Sequence, residues 1–224
     1  MQKIFIGFCV AMLVVLGSIV YVRTDKISVA PLSTNTIETE SYTMKITQPE
    51  NAEKKFPELF AVTKNAISLF EKQYAGASST SPAPYDLQID TTVATTSETV
   101  SYVVSLYEYT GGAHGITAIQ AFTYDKDGKF VGEKEVFGES NWRPVVSELT
   151  YQYLKEKLKE NTSDDVLKEG TAPIGDNLSV WYLKGGDVVF VFGQYQIGAY
   201  ALGIQEVPIP REKLTEVLTE KFKY

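Results

Sequence analysis

The sequence has 224 residues, of which 44% are hydrophobic and 22% are charged, and its formal net charge is -7 at pH 7. This composition is typical of a folded protein and excludes fibrous and disordered classes. The acidic balance disfavours nucleic acid and anionic lipid as partners. Cys9 is the only cysteine, so an intrachain disulfide, a thiolate zinc site and a cysteine nucleophile are excluded from the rest of the chain.

An apolar run opens the chain. Residues 4–22 are uncharged and follow Lys3; as a helix they would span about 28 Å, close to the roughly 30 Å of a bilayer core. We therefore expect a signal anchor in residues 1–23, with one transmembrane helix and the rest of the chain outside the membrane. A cleaved signal peptide is the alternative, although its nearest small-residue site, at residues 28–30, is followed by Pro31.

The next stretch has no hydrophobic period. Residues 24–40 are rich in Thr and Ser, which predicts a flexible linker. A coil of this length would reach about 20 to 25 Å from the membrane. The folded domain is therefore predicted to comprise residues 41–224.

The first half of that domain has strand and helix patterns in turn. Alternation around Met44 predicts a strand, and helical spacing over residues 52–74 predicts an amphipathic helix. A small-residue loop follows. Residues 85–95, 98–110 and 116–125 then alternate with β-branched and aromatic enrichment, which predicts antiparallel strands.

A short acidic motif, "DKDGK", follows the third of these runs and predicts a turn. A calcium loop is the alternative, since Asp125 and Asp127 precede Gly128. Such a loop needs an oxygen ligand at its fifth position and a Glu at its twelfth, where Lys129 and Val136 stand. An Asp-Gly hairpin turn is the preferred interpretation.

The second half predicts a helix, a hairpin and an edge strand. The helix begins at Ser140 or Asn141 with Pro144 in its first turn. A hairpin is predicted at "GG" (185–186), "EVPIP" reads as an edge strand, and residues 211–222 as a short amphipathic helix. The fold class predicted is α+β, with antiparallel sheets, two packed helices and a short C-terminal helix behind one N-terminal transmembrane helix.

Two aromatic and glycine-rich stretches are the candidates for function. "YEYTGGAHG" (107–115) places three glycines around His114, the only histidine, and "GQYQIGAYALG" (193–203) alternates glycines with tyrosines. A structural turn, a ligand contact and general-base catalysis all stay open for His114. The candidate ligand-binding residues are Tyr107, Tyr109, Gly111, Gly112, His114, Tyr195 and Tyr200.

These residues are expected to bind through shape and aromatic contact, and not to transfer protons. No phosphate loop, dinucleotide fingerprint, zinc-protease helix or nucleophile elbow is present, so nothing in the sequence argues for an enzyme, although an enzyme is not excluded. We predict no catalytic residue, no metal site and no cofactor. Two alternatives remain: a hydrolase acting on the cell wall with His114 as general base, and an envelope assembly module that pairs through residues 193–210.

Taken together, "YEYTGGAHG", "FTYDKDGKFVGEKEVFG" and "VFVFGQYQIGAYALGIQEVPIP" resemble two extracytoplasmic domains. These are the domain of RsiV-type anti-sigma factors, which sense lysozyme, and the N-terminal domain of PdaC-type peptidoglycan deacetylases. The resemblance covers roughly residues 42–214. It implies an α+β binding domain, not an enzyme, outside the cytoplasmic membrane of a bacterium, at the cell surface or in the periplasm.

The resemblance also implies the partners, a cell-wall glycan such as a peptidoglycan fragment or a protein such as lysozyme. Three residues precede the apolar run, and the sequence stops at Tyr224. We therefore expect neither a cytoplasmic sigma-binding region nor a deacetylase catalytic domain. Of the functions found in the two families, only that of the binding domain is expected for this chain.

Overall fold

The computed structural model describes residues 28–77 and 84–223. The predicted signal anchor lies outside these residues, as does most of the predicted small-residue loop. Within the described part of the chain, no helix combines the length and the apolar character needed to cross a bilayer. The fold is mixed α+β with mainly antiparallel sheets, as predicted, and the details differ at four places.

The first half of the domain forms a six-stranded sheet whose strands lie in chain order. The strands are β1 (Leu32–Glu38), β2 (Tyr42–Pro49), β3 (Tyr85–Thr95), β4 (Thr99–Tyr109), β5 (Ile116–Asp125) and β6 (Phe130–Val131). Every pair is antiparallel except β2 and β3, which are parallel. A parallel pair needs a long crossover, and this crossover carries helices α1 (Ala52–Lys55) and α2 (Pro57–Tyr74).

The flexible linker predicted for residues 24–40 is wrong over β1. Residues Leu32–Glu38 pair along their whole length with β2. Nearly all of their side chains are exposed, so the strand has no buried face and its sequence has no apolar alternation. This edge strand forms through backbone hydrogen bonds to β2, whose own sequence does alternate.

The predicted helix over residues 52–74 is confirmed but divided. Phe56 separates α1 from α2 in a non-helical conformation, with φ of −138° and ψ of 62°, because the residue before a proline is disfavoured in the helical region and Pro57 starts α2. Phe56 then packs on Tyr102 and Tyr124, with ring centroids 4.7 and 4.9 Å away. The core of this first lobe lies between α2 and one face of the sheet.

The second half contains three helices, α3 (Glu133–Phe137), α4 (Trp142–Leu158) and α5 (Asp164–Thr171). It also contains an antiparallel sheet of β7 (Trp181–Lys184), β8 (Asp187–Phe192) and β9 (Gln205–Pro210). The predicted helix start at Asn141, the hairpin at residues 185–186 and the proline-containing edge strand are confirmed. The sequence analysis did not predict α3 and α5.

The predicted C-terminal helix over residues 211–222 is wrong. The segment forms two short 3₁₀ turns, Arg211–Lys213 and Glu220–Phe222. Its backbone bonds to other elements: the Thr219 N–H donates to the Val136 carbonyl at 2.8 Å, and the Val217 carbonyl accepts from the Ser140 hydroxyl at 2.9 Å. The apolar side chains still enter the core of the second lobe.

The two lobes pack sheet on sheet. A separate buried cluster joins them, built from Ala94, Val103, Tyr182, Val189 and Val191. Beside it the buried Ser101 hydroxyl donates to the Leu183 carbonyl at 3.2 Å and accepts from the Leu183 N–H at 3.3 Å. The polar groups in this contact are thus paired, as burial requires.

The "DKDGK" motif forms the predicted turn. The Asp125 carboxylate accepts hydrogen bonds from the backbone N–H groups of Asp127 and Lys129, each at 3.0 Å, and Gly128 has φ of 78°. Among the described residues, no group of three or more His, Cys, Asp or Glu side chains is arranged to hold a metal ion.

Candidate functional site

The loop between β4 and β5 is shaped by its glycines. Gly111 and Gly112 have φ of 88° and 119°, which side chains rarely adopt. Gly115 is buried, and a Cβ there would lie 2.5 Å from the Tyr107 ring. The Tyr109 hydroxyl donates to the Gly112 carbonyl at 3.1 Å. This loop therefore has one tightly defined path from β4 into β5.

That path places His114 on the surface in a fixed orientation. Its Nδ1 lies 3.0 Å from the Gly115 carbonyl. Because a carbonyl only accepts, Nδ1 donates in this contact, which leaves Nε2 of the neutral ring as an acceptor. The Tyr195 hydroxyl lies 3.4 Å from Nε2, within reach to donate to that tautomer. Within the described part of the chain, no carboxylate bonds to this ring, and the Gly115 carbonyl is the group that orients it.

The His114 ring also stacks on Tyr200. The ring centroids are 3.8 Å apart and the planes are 22° from parallel. The Tyr200 hydroxyl donates to the Gly115 carbonyl at 3.1 Å, and the Tyr195 and Tyr200 centroids are 5.6 Å apart. We call His114, Tyr195 and Tyr200 the aromatic site.

The structure thus brings together three of the predicted residues from stretches about 80 positions apart. Tyr107 and Tyr109, also predicted as ligand anchors, are half-buried and support the glycine loop. Gly111 and Gly112 set the path of the backbone.

Tyr195 occupies an unusual position at the tip of the loop after β8. Its φ is 66°, a conformation that costs a non-glycine residue about 1 to 2 kcal/mol. Its side chain is 56% exposed, so packing in the core does not explain why this residue stands there. Strained backbone of this kind clusters at binding and catalytic sites.

Two glutamines fix this loop. The Gln194 side-chain oxygen accepts from the backbone N–H of Thr117 on β5 at 2.9 Å, which ties the two lobes together. The Gln196 side-chain oxygen accepts from the Gly193 N–H at 3.0 Å. Its amide nitrogen donates to the carbonyls of Gly170 and Asn177 at 3.0 and 2.8 Å. The Gln196 amide thus links this loop to the C-terminal end of α5 and to the segment that follows it.

A groove of about 530 Å³ lies on the far side of Tyr195, between this loop and α5. Its rim carries two exposed apolar side chains, Ile174 at 66% and Val166 at 37%. Glu169 and Asn177 also line it. The Arg143 guanidinium donates to the Gly175 carbonyl at 3.2 Å and fixes the outer wall. The groove is therefore preformed, with apolar and polar groups side by side.

The helix that forms this wall is fixed at its first turn. The Ser163 hydroxyl accepts from the Val166 N–H at 3.3 Å as a cap. Lys168 and Lys155 reach the Asp164 carboxylate at 2.7 and 2.9 Å. The hydrogen bond from Lys168, followed by those from Tyr151 and Lys155, holds the pKa of Asp164 well below its usual range.

The sequence analysis missed the groove because it missed α5. One signal was present: Ser163 is followed by Asp164 and Asp165, a cap and an acidic first turn that are typical of a helix start. The contribution of Ile174 depends on loop packing and had no such signal.

Comparison with known proteins divides the chain into two matched parts. Residues 34–117 match the family model described as "Deacetylase PdaC", and residues 134–212 match that described as "Protein of unknown function (DUF3298)". These two matches support a PdaC-type N-terminal domain joined to a DUF3298 domain over residues 34–212. His114 lies in the first matched part, whereas Tyr195 and Tyr200 lie in the second, so the aromatic site forms where the two parts meet.

One curated relative is the peptidoglycan-N-acetylmuramic acid deacetylase PdaC of Bacillus subtilis. It is 34% identical over 127 residues, which are 56% of this chain and 27% of the relative. The match thus spans about a quarter of the length of that relative.

Two solved structures share the fold. A DUF3298 family member from Bacteroides fragilis gives a TM-score of 0.58 at 18% identity, covering 87% of this chain and 96% of its own. A DUF3298 family protein from Pseudomonas aeruginosa gives 0.62 at 17% identity, covering 88% and 97%. Both support the fold described above.

Proposed function

We propose that this chain is a membrane-anchored, extracytoplasmic binding module whose aromatic site and adjoining groove bind a cell-wall glycan. The observation that carries this proposal is Tyr195, an exposed ring in a strained conformation between the His114–Tyr200 stack and a preformed groove. The apolar run at residues 4–22 and the similarity to PdaC support the proposed location.

The chemistry of the surface fits an N-acetylated sugar. The flat apolar face of a sugar ring can lie on Tyr195, as apolar ligands do on aromatic side chains. An acetamido methyl group fits against Ile174 and Val166, and Glu169 can accept hydrogen bonds from hydroxyl groups. That the similar Bacillus subtilis protein is named as a peptidoglycan deacetylase supports the same ligand class.

Binding is preferred over catalysis for one structural reason. In the part of the chain that the structure describes, His114 bonds to a backbone carbonyl and a tyrosine hydroxyl, which hold it as part of the surface. A hydrolase with His114 as base is the alternative. It predicts turnover of peptidoglycan fragments by the wild-type protein and loss of turnover in His114→Ala.

Calorimetric titration of the full chain with a tetrasaccharide of alternating N-acetylglucosamine and N-acetylmuramic acid tests the proposal. We expect saturable binding that Tyr195→Ala weakens by about tenfold or more, the loss of one aromatic contact of roughly 1.5 kcal/mol. The matched control is Tyr153→Ala, an exposed tyrosine on α4 whose loss should leave affinity unchanged. No heat, or equal effects of both substitutions, would contradict the proposal.

A protein ligand such as lysozyme is the second candidate, because the net charge of -7 favours a basic partner. The same titration with lysozyme at low and at physiological salt separates the two. Electrostatic binding should weaken steeply as salt rises, whereas binding of the uncharged part of a glycan should change little.

A further inference from the structure

The six-stranded sheet has two ends, and the N-terminal part of the chain is attached at one of them. Ala30 is buried, and its N–H donates to the Tyr102 hydroxyl at 3.1 Å. Residues 28–31 and the turn at residues 125–128 line a common cleft at this end. We call it the tether end of the domain.

The aromatic site lies at the other end. β4 and β5 pair from Thr99↔Asp125 at the tether end to Glu108↔Ile116, and the loop that carries His114 joins the strands beyond Glu108. A strand advances about 3.3 Å per residue, so the nine residue steps from Thr99 to Glu108 span about 30 Å. Helix α2 runs the same way, from Phe56 at the tether end to Tyr74, whose ring packs on Tyr85 at the site end.

The tether itself is short because β1 begins early. Seven residues, 23–29, lie between the apolar run and Ala30. The eight Cα–Cα steps from Val22 to Ala30 reach at most about 29 Å when fully extended. For the domain to stand inverted, with the aromatic site on the bilayer and the sheet along the membrane normal, Ala30 would have to lie more than about 30 Å above it, because the glycine loop continues beyond Glu108. Even a fully extended tether falls short of that distance.

We propose that the domain presents its aromatic site away from its own membrane, with the turn at residues 125–128 as the membrane-proximal end. This inference rests on the anchoring in the proposed function. With this orientation, the glycan that binds is part of the wall polymer or free in solution. A glycan attached directly to lipid in the same bilayer would not reach the aromatic site.

Energy transfer to labelled lipid headgroups tests this orientation. The full chain, with Cys9→Ser, is reconstituted into vesicles and labelled at a single new cysteine, Asp127→Cys in the tether-end turn or Ala113→Cys in the glycine loop. Both positions are exposed. We expect transfer several-fold higher from position 127 than from position 113. Equal transfer, or higher transfer from 113, would overturn the orientation.

A lengthened tether is the matched control. Insertion of 20 Gly and Ser residues after Arg23 should lower transfer from position 127 and reduce the difference between the two positions, because the reach of a coil grows with its length. An unchanged difference would mean that the tether does not set the orientation.

Flotation of the vesicles is measured first. A chain that fails to float with lipid lacks the anchor, and that result overturns the anchoring and the orientation together. If the chain floats with lipid but transfer from position 127 is not the higher of the two, the orientation alone is overturned.

Discussion

Two of the contacts between the lobes are built differently. At the buried cluster around Tyr182 and Val189, strands of the two sheets supply apolar side chains, and the hydroxyl of Ser101 is paired with Leu183. At the aromatic site, glycines and strained backbone bring together the exposed rings of His114 and Tyr195 and the half-buried ring of Tyr200. The first contact maintains the fold, whereas the second stores strain on the surface, as expected of a binding site. Four substitutions test this contrast.

The largest effect is expected in the buried contact. Tyr182 is 3% exposed, and Tyr182→Ala should lower the free energy of unfolding by about 3 to 5 kcal/mol, the range for removing a buried aromatic ring. Urea denaturation measures it, and we expect one transition for both lobes. Tyr182→Phe, which keeps the ring, should cost far less. Two separate transitions would show that the lobes fold independently.

Gly115 connects the two kinds of contact, since it is buried beneath the aromatic site. Gly115→Ala places a Cβ 2.5 Å from the Tyr107 ring and 2.6 Å from the Glu108 carbonyl oxygen. We expect a loss of about 1 to 3 kcal/mol, the usual cost of overpacking, together with weaker ligand binding. Gly186→Ala is the control, because a Cβ there meets no atom within 4 Å. Thermal unfolding compares them, and equal midpoints would contradict the role given to Gly115.

Tyr195→Gly should separate stability from binding. Glycine adopts φ of 66° without strain, so the unfolding free energy should rise by up to about 1 kcal/mol, while affinity for the tetrasaccharide falls. Tyr195→Ala keeps the strain and should leave stability nearly unchanged. If Tyr195→Gly lowers stability instead, the ring is a packing element and the contrast between the two contacts fails.

The smallest effect concerns the wall of the groove. The folded-state pKa of Asp164 is depressed, chiefly by Lys168. Its contribution to stability is therefore present above the unfolded-state pKa and is lost as pH falls through the folded-state value. The wild type should lose more of its thermal midpoint than Asp164→Asn between about pH 5 and about pH 2. The carboxylate is exposed and solvent-screened, so the difference in thermal midpoint between the two proteins should be small. If the two plots of thermal midpoint against pH are parallel, the prediction is contradicted.

The parts of the fold that the sequence predicted are those in which local pattern and tertiary role agree. β3, β4 and β5 are rich in β-branched and aromatic residues, which predict strands, and the sheet they form packs on α2 with one face and on the second lobe with the other. The hairpin at residues 185–186 follows from its two glycines. In these elements the local sequence is sufficient to predict the structure.

Elsewhere, partners distant in sequence decide the structure. β1 has no buried face and exists through its pairing with β2. The C-terminal segment has helical spacing, yet its own backbone bonds form only short turns, and Thr219 and Val217 bond instead to Val136 and Ser140. Similarly, the glycine-rich and tyrosine-rich stretches predicted His114 and Tyr200 as candidate binding residues, but no sequence pattern predicts that the two rings stack on each other.

The chain order of the strands has a consequence for biogenesis. The six-stranded sheet uses consecutive strands up to Val131, so a chain emerging N-terminus first can complete this sheet early. The rings of Tyr195 and Tyr200 emerge more than 80 residues after His114. A truncated chain that ends after β6 would therefore carry all the strands of the first sheet but lack the rings of Tyr195 and Tyr200, so the aromatic site forms only when the second lobe has been made.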